Sequence, residues 1–556
     1  MQISRFAVAA RSSINDAWYS RLLKLVVYVI CLLAIGYILV FTVLAIQRML
    51  YPYELEWTES AFFDQVRWIA QGKFPYGPPD IAFLPLTYTP LYFYFAAALA
   101  KVTGVSLLAP RLISILAVFG CFALLIIIVR DKTKRLLPGL LAAGLFAASY
   151  RFTGAWMDLA KTDSLFLLVI LFAFWIGIRY TNKPGLLLSG CLFALAYFTK
   201  QIALPLVLVL APISLLFSRG RTLLQWLAAF SAGAIVFVAL DLVSQGWSSF
   251  YTLETVLYHE RVLAPAAFWI NLLYKTWPAF LLAFIFTALA YRSTRQSGGN
   301  WHHLPWQYLG FSLALVLASW SIYFKTWTYD NGMMPACLGL ALLSGLAYHD
   351  LQATRDDPTF SPYQGAAIQA AGIVLIFIQF CLFYYNPLQQ LPTGEDRLQT
   401  REFLQFTQQL PGKVWIFSHT YYGYLTGENP YFDSAPFGDI VGGQAPPPGS
   451  EVFRRRELTA EVFQQAISEQ IFDWIIVDQY ESFWSPYYIP ITELSYDFYP
   501  VTGARTRPKI LMTRNPAAGG GALSVGNSPF DAVYPAERSS PQIVEGLTNK
   551  ELAGAQ

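Results

Sequence analysis

The run LVVYVICLLAIGYILVFTVLAI, Leu25 to Ile46, stays apolar for about 22 residues, enough to cross a hydrocarbon core of about 30 Å as a helix. Close behind it comes YPYELEWTESAFFDQVRWIAQGKFPY, Tyr51 to Tyr76, which puts Glu54, Glu56, Glu59 and Asp64 at a membrane surface. The interleaved Tyr51, Tyr53, Trp57, Phe62, Phe63 and Trp68 form an amphipathic pattern that holds the segment at the bilayer rather than in open water. Carboxylates at that depth suit acid–base chemistry on a lipid-borne substrate, because the headgroup meets them without the lipid leaving the bilayer.

Composition fits this reading. Apolar residues make up 55% of the chain, aromatics 16% and charged residues only 13%, with a mean hydropathy of +0.42; a soluble 556-residue enzyme does not look like that. The net charge of +3 comes from nearly balanced pools, and no basic tract marks a nucleic-acid footprint. Cys31, Cys121, Cys191, Cys337 and Cys381 all fall in apolar runs without redox-pair or metal-ligand spacing. His259, His302, His303, His349 and His419 are scattered, so a histidine-based metal site has no support.

The first run follows Arg5, Arg11, Arg21 and Lys24, is too long for a signal-peptide core and lacks a small-residue cleavage pattern. It reads as an uncleaved span behind a cytoplasmic N-terminus, residues 1–24. Further apolar runs lie at Leu112–Val129, Leu136–Tyr150, Ser164–Ile178, Gly185–Phe198, Ile202–Phe217, Leu223–Leu242, Phe268–Ala290, Trp306–Tyr323, Met333–Ala347 and Ala366–Tyr385. The expectation is an all-α polytopic membrane domain, residues 25–385, of eleven transmembrane helices. Tyr88 to Leu99 is apolar enough to pass for a twelfth span. Were it one, Arg130, Lys132, Lys134 and Arg135 would face outside, as would Arg219 with Arg221 and Arg292 with Arg295. The positive-inside rule therefore lays it on the outer surface as an amphipathic element. The outer first loop, Gln47 to Pro110, is then about 60 residues long, unusual for a mere connector.

Beyond Tyr385 the apolar runs shrink to β-like pieces, Val414–Phe417, Trp474–Val477 and Ile510–Met512, with a helix-like stretch near Arg455 to Glu469. This predicts a small extracytoplasmic α/β domain over 386–515 and a disordered tail over 516–556, where Gly, Ser, Pro and Asn dominate. No internal repeat is evident.

Each chemically suggestive residue has a plainer role beside it. Glu56 and Glu59 share one face if the chain is helical from Glu56, with Asp64 about a turn further; acidic residues early in a helix also simply favour its dipole. RFTGAWMDLAKTDSLF carries Asp158 and Asp163 around Lys161, but Asp163 is also a good N-cap type for the following span. Lys200, in FALAYFTKQIALP, is either a lysine snorkelling to the interface or, with Gln201 as a further donor, a contact for a lipid phosphate. SIYFKTWTYDNGMMPA offers Lys325, Tyr329, Asp330 and Asn331, where an Asp-Asn-Gly turn explains much. Ser244 to Arg261 is a polar outer loop of unspecific character.

Taken together, ELEWTESAFFDQVRWIAQGKFPY, YTPLYFYFAA, the Gly104 to Arg111 stretch, LAKTDSLFLL, FTKQIAL and YDNGMMP resemble in order and spacing the GT-C superfamily of polyprenyl-phosphate-sugar glycosyltransferases. The similarity is to the branch that includes protein O-mannosyltransferases and lipid A aminoarabinose transferases, and it covers about Leu25 to Tyr385. It implies an inverting transfer on the extracytoplasmic face of the plasma membrane, from a polyprenyl-phosphate-linked sugar to a lipid, glycan or protein acceptor. Carried onto this chain, it implies Glu59, 13 residues before Gly72, as the first-loop acid, with Glu56 the close competitor and Asp163 as the second-loop acid. Lys200 resembles the family's lysine ahead of its next span. Gln201, Asp64, Asp158, Tyr329 and Asn331 complete the expected substrate-binding set. Carboxylates can bind a divalent cation, although no His or Cys ligand pattern accompanies these. Two other classes compete: a transporter or flippase of lipid-linked sugars, which should place ionisable residues midway along spans and for which Asp241 and Lys275, both toward span ends, are the only clear candidates, and a non-catalytic scaffold displaying the C-terminal domain.

Overall fold

Every one of the expected apolar runs forms a helix. The structure, a computed structural model, describes residues 2–261, 265–296, 299, 305–325, 328–355, 360–428 and 430–518. The expected disordered tail lies outside the described residues from 519 onward, as do His302 and His303. In chain order the membrane part comprises α1 (Gln2–Met49), α2 (Glu59–Ala70), α3 (Leu91–Thr103), α4 (Leu108–Thr133), α5 (Leu136–Ala148), α6 (Asp163–Arg179), α7 (Lys183–Thr199), α8 (Ala203–Phe217) and α9 (Leu223–Val243). The single turns α10 (Trp247–Ser249) and α11 (Thr255–Leu257) follow, then α12 (Pro265–Gln296), α13 (Trp306–Ile322), α14 (Met334–Ala353) and α15 (Pro362–Leu382).

Among the described residues, six helical segments are long and apolar enough to cross a membrane: Arg21–Met49, Leu108–Thr133, Leu223–Val243, Ala266–Gln296, Asp330–Ala353 and Tyr363–Leu382. The chain is a multi-pass membrane protein. The other five helices at expected spans, α5, α6, α7, α8 and α13, have 13 to 17 residues, or roughly 20–26 Å at 1.5 Å per residue. Their ends follow local chemistry: Asn182 caps α7 by accepting from the Gly185 N–H at 3.1 Å, and Ser361 with Gln364 forms a capping box on α15. Within α12, Pro278 interrupts the helical hydrogen bonding, and the next amide, Ala279, donates instead to Gln379 Oε1 at 3.1 Å. The Tyr88–Leu99 segment corresponds to α3, whose 13 residues span only about 20 Å. Tyr92, Phe93, Ala96 and Ala97 of α3 are buried in a cluster with Phe62 and Val66 of α2.

After α15 come α16 (Gly394–Gln409), β1 (Val414–Ile416), α17 (Thr420–Leu425), α18 (Ser434–Val441), α19 (Glu451–Ser468), β2 (Trp474–Val477), β3 (Tyr488–Glu493) and β4 (Ile510–Arg514). They form a sheet of order β1-β2-β4-β3, β1 and β2 parallel, the other pairs antiparallel. The parallel pair needs a long crossover, which α17, α18 and α19 supply. β3 has no counterpart among the strands expected from sequence: it is an edge strand, YIPITE, mostly exposed, with Pro490 inside it and a register shift between Pro490 and Thr492.

This small domain does not stand apart. Trp415, Phe463, Phe472 and Trp484 share one buried cluster with Tyr76 and Leu84 of the first loop and with Trp247, Phe250 and Tyr251. Arg455 lies over the Trp247 ring at 4.6 Å and donates to the carbonyls of Gly246 and Gln245. The acidic first loop is thus held between the membrane helices and the C-terminal domain.

Candidate active site

The first-loop acids take up different surroundings. α2 begins at Glu59, not at Glu56, so the two carboxylates do not share a helical face: the Glu59 N–H closes a turn onto the Glu56 carbonyl at 3.0 Å. Glu59 is fully buried and saturated. Arg111 Nε and Nη2 donate to its Oε1 and Oε2 at 3.0 and 2.6 Å, and the amides of Ala160 and Leu55 add bonds of 2.9 and 2.8 Å. Burial opposes the Glu59 charge, but Arg111 and these donors outweigh it and hold the carboxyl below its ordinary range.

Glu56 is as deeply buried, but only one of its oxygens is occupied. Oε2 accepts from the Thr58 amide (3.0 Å), the Thr58 hydroxyl (2.8 Å) and Lys161 Nζ (2.7 Å). Oε1 is sealed from solvent and has no hydrogen-bond partner among the described residues. Lys161 also donates to Thr58 Oγ1, and its ammonium lies 4.3 Å from the Phe62 ring centroid and 5.2 Å from that of Trp156.

Asp163 opens α6, yet it does not cap the helix; the N-cap is Thr162, which makes no side-chain cap bond. Its Oδ1 instead accepts from Lys200 Nζ at 2.5 Å and from Asn331 Nδ2 at 3.2 Å, uniting three separate loops. A narrow crevice runs beside this trio, lined also by Phe166, Leu167 and Met334. Gln201 points away, donating to the Thr87 and Thr252 carbonyls at 2.6 and 3.2 Å, and so fixes loops rather than a ligand. The Tyr329 hydroxyl accepts from Trp57 Nε1 at 3.2 Å, and its ring packs on Trp156 at 5.2 Å.

Tyr88 packs its ring 5.4 Å from that of Phe62, over which the Lys161 ammonium lies. Burial raises the pKa of the Tyr88 hydroxyl, and the fields of Asp439, Asp163 and Glu56 raise it further. Asp439, on α18, accepts from the Thr87 hydroxyl at 3.0 Å. Lys325, bridged to Arg261 through the backbone, is pulled down to about 8 by burial; Asp439 opposes this, and Lys200 and Arg261 reinforce it. Lys200 pairs with Asp163, and Lys325, joined to Arg261 by the backbone bridge, feels the Lys200 charge. Nothing local in the sequence singles out Lys325 and Arg261 as a pair, because each sits in a loop with a plain explanation and they are 64 positions apart.

Two expected substrate contacts have other partners. Asp158 is fully buried, accepting from Arg48 Nε at 2.6 Å and from the Tyr150 hydroxyl at 3.0 Å. Arg48 also donates to the Gln390 carbonyl (2.7 Å), the Ala155 carbonyl (3.1 Å) and Thr502 Oγ1 (3.1 Å), tying the end of α1 to the C-terminal region. Asp64 accepts from Arg67 (3.3 Å) and the Thr420 hydroxyl (2.5 Å), and burial pushes it up to about 7. Nearby, His419 bridges Glu54 at 2.5 Å and Asp478 at 3.2 Å. Burial raises Glu54 to about 8 against the pull of His419. Burial also disfavours the His419 charge, but Asp478 and Glu54 prevail and raise its pKa well above the ordinary value. Among the described residues, no group of three or more His, Cys, Asp or Glu side chains is arranged to hold a metal ion. Of the two transporter candidates, Asp241 accepts from the Ser249 amide at 2.9 Å beyond the end of α9.

Comparison with solved structures places the architecture. ArnT from Cupriavidus metallidurans bound to undecaprenyl phosphate superposes with a TM-score of 0.52 at 11% identity, covering 88% of this chain and 99% of that one. The apo form of the same protein gives 0.54 at 11% identity, covering 88% and 100%. The chain has the GT-C fold. Within it, residues 87–245 match the family model described as dolichyl-phosphate-mannose-protein mannosyltransferase, a stretch that carries Asp163 and Lys200. No curated protein sequence matches significantly. The GT-C fold agrees with the resemblance read from the loops, and it extends past α15 into the C-terminal domain.

Proposed function

We propose that the protein is a membrane glycosyltransferase that moves a sugar from a polyprenyl phosphate to an acceptor hydroxyl, with inversion, on the extracytoplasmic face. The observation that carries this reading is a pair of largely buried acid–lysine contacts, Glu56 with Lys161 at 2.7 Å and Asp163 with Lys200 at 2.5 Å, brought together because Lys161 and Asp163 belong to one loop, with Asn331 completing the second contact. The fold it shares with ArnT, whose structure holds undecaprenyl phosphate, and the mannosyltransferase family match support the donor class.

Glu56 activates the acceptor. Its free Oε1 takes the hydroxyl proton as the acceptor oxygen bonds to the anomeric carbon and the carbon–oxygen bond to phosphate breaks. The departing electron pair stays on the lipid phosphate, where Lys200, Lys325 and Arg261 neutralise it. Asp163 and Asn331 orient Lys200 toward that charge, and Glu59 positions the loop through Arg111. The positive-inside rule lays α3 on the outer surface, and both acidic loops then share one face.

The test is sugar transfer from polyprenyl-phosphate donors by purified Glu56→Ala, Glu59→Ala and Asp163→Ala variants. Wild-type turnover in both the Glu56 and Asp163 variants would end this assignment of the site.

A further inference from the structure

The C-terminal domain reaches Glu56 itself. Between β3 and β4, the Thr502 amide donates to the Leu55 carbonyl at 3.0 Å, and the Thr502 hydroxyl accepts from the buried Arg48 at 3.1 Å. These two anchors press the next residue, Gly503, onto the catalytic loop. Its backbone is left-handed (φ +74°), and a Cβ there would stand 3.0 Å from Glu56 Cγ and 3.2 Å from Oε1. Oε1 is the fully buried oxygen that has no partner among the described residues. Gly503 is on the exposed side, so the turn separates the unpaired oxygen from the outside.

We propose that the Thr502–Gly503 turn is the acceptor-side wall of the active site, and that Gly503 is a positioning residue whose missing side chain leaves Oε1 of Glu56 free to receive the acceptor. The inference rests on the glycosyltransferase reading for its chemistry, but the contact stands independently of it. Any Cβ at this position must push the carboxylate aside or fill the acceptor's place, since the Glu56 side chain is held from behind by Lys161 and Thr58.

Two glycine-to-alanine variants in the same domain separate this from backbone strain. Gly449 has a similar φ of +77°, but nothing lies within 4 Å of the place a Cβ would take, so Gly449→Ala carries strain without contact. Gly503→Ala is expected to lower transfer roughly tenfold to hundredfold and to speed hydrogen exchange at the Thr58 amide, which bonds Glu56. Gly449→Ala should do neither. Glu56→Asp, shorter by one methylene, should lose less activity in the Gly503→Ala background than alone. Should Gly503→Ala fold poorly, Gly503→Asn places the same Cβ with less backbone penalty. Equal effects of the Gly503 and Gly449 variants on exchange and transfer would overturn the proposal. A wild type inactive with every polyprenyl-phosphate sugar would instead refute the donor class, while the exchange comparison still decides the contact.

Discussion

Arg111 grips Glu59 with two parallel hydrogen bonds of 3.0 and 2.6 Å, and neither side chain reaches solvent. The same guanidinium donates to the carbonyls of Tyr51 and Tyr53 at 2.6 Å each, so the pair ties the Tyr51–Glu59 stretch of the first loop to α4. Breaking a buried pair by removing one partner costs about 3–5 kcal/mol, because the other charge is left uncompensated. Glu59→Gln and Arg111→Ala are therefore expected to lower the thermal midpoint in detergent markedly. Glu56→Gln also leaves Lys161 without its buried partner and should lower the midpoint as well, but it should in addition lower turnover by roughly 10²- to 10⁴-fold, the usual worth of a general base. A stable but inactive Glu59→Gln would reverse the two roles.

With Lys325 at the donor phosphate as proposed, donor binding is expected to depend on pH. The Lys325 ammonium is held near 8, below the ordinary lysine value, so it is charged at pH 7 and increasingly neutral above pH 8. Donor affinity, read by titration of a polyprenyl phosphate, is expected to fall severalfold between pH 7 and pH 9. Lys325→Arg should flatten that slope, because a guanidinium stays charged throughout. Lys200→Ala should weaken the donor at every pH.

The joint between the C-terminal domain and the first loop titrates in the same range. Burial places Glu54 at about 8 and Asp64 at about 7, so the closed joint holds protons that an opened one would release. Stability from these groups is complete below the ordinary carboxylate range and is lost as pH rises through about 7 to 8; His419, also raised, acts with the same sign above its ordinary value. Limited proteolysis within 386–515 should accordingly be slower at pH 6 than at pH 8.5. Glu54→Gln, which mimics the protonated acid, should reduce the difference.

Arg48 connects Asp158 to Thr502, and thereby the end of α1 to the turn that faces Glu56. Arg48→Ala leaves Asp158 buried with only Tyr150, and an expected loss of about 3–5 kcal/mol would accompany it. Thr502→Val removes a neutral acceptor alone and should cost only about 1–3 kcal/mol. Chemical denaturation of the two variants tests this order.

The periodicity and length of the apolar runs were enough to place the helices, because burial in lipid demands a continuous apolar stretch whatever the neighbours are. The loops' order and spacing likewise carried the GT-C resemblance, and β1, β2 and β4 were readable as short apolar pieces. β3 was not, since an exposed edge strand containing Pro490 carries no alternation to read. Local sequence also left Glu56 and Glu59 equivalent, two acids three residues apart. Only the tertiary structure distinguished them: Arg111, 52 positions beyond Glu59, saturates one carboxylate, and Gly503, far along the chain, leaves the other with a free oxygen. A side chain's charge state and availability depend on whatever the fold brings against it, and those partners are distant in sequence.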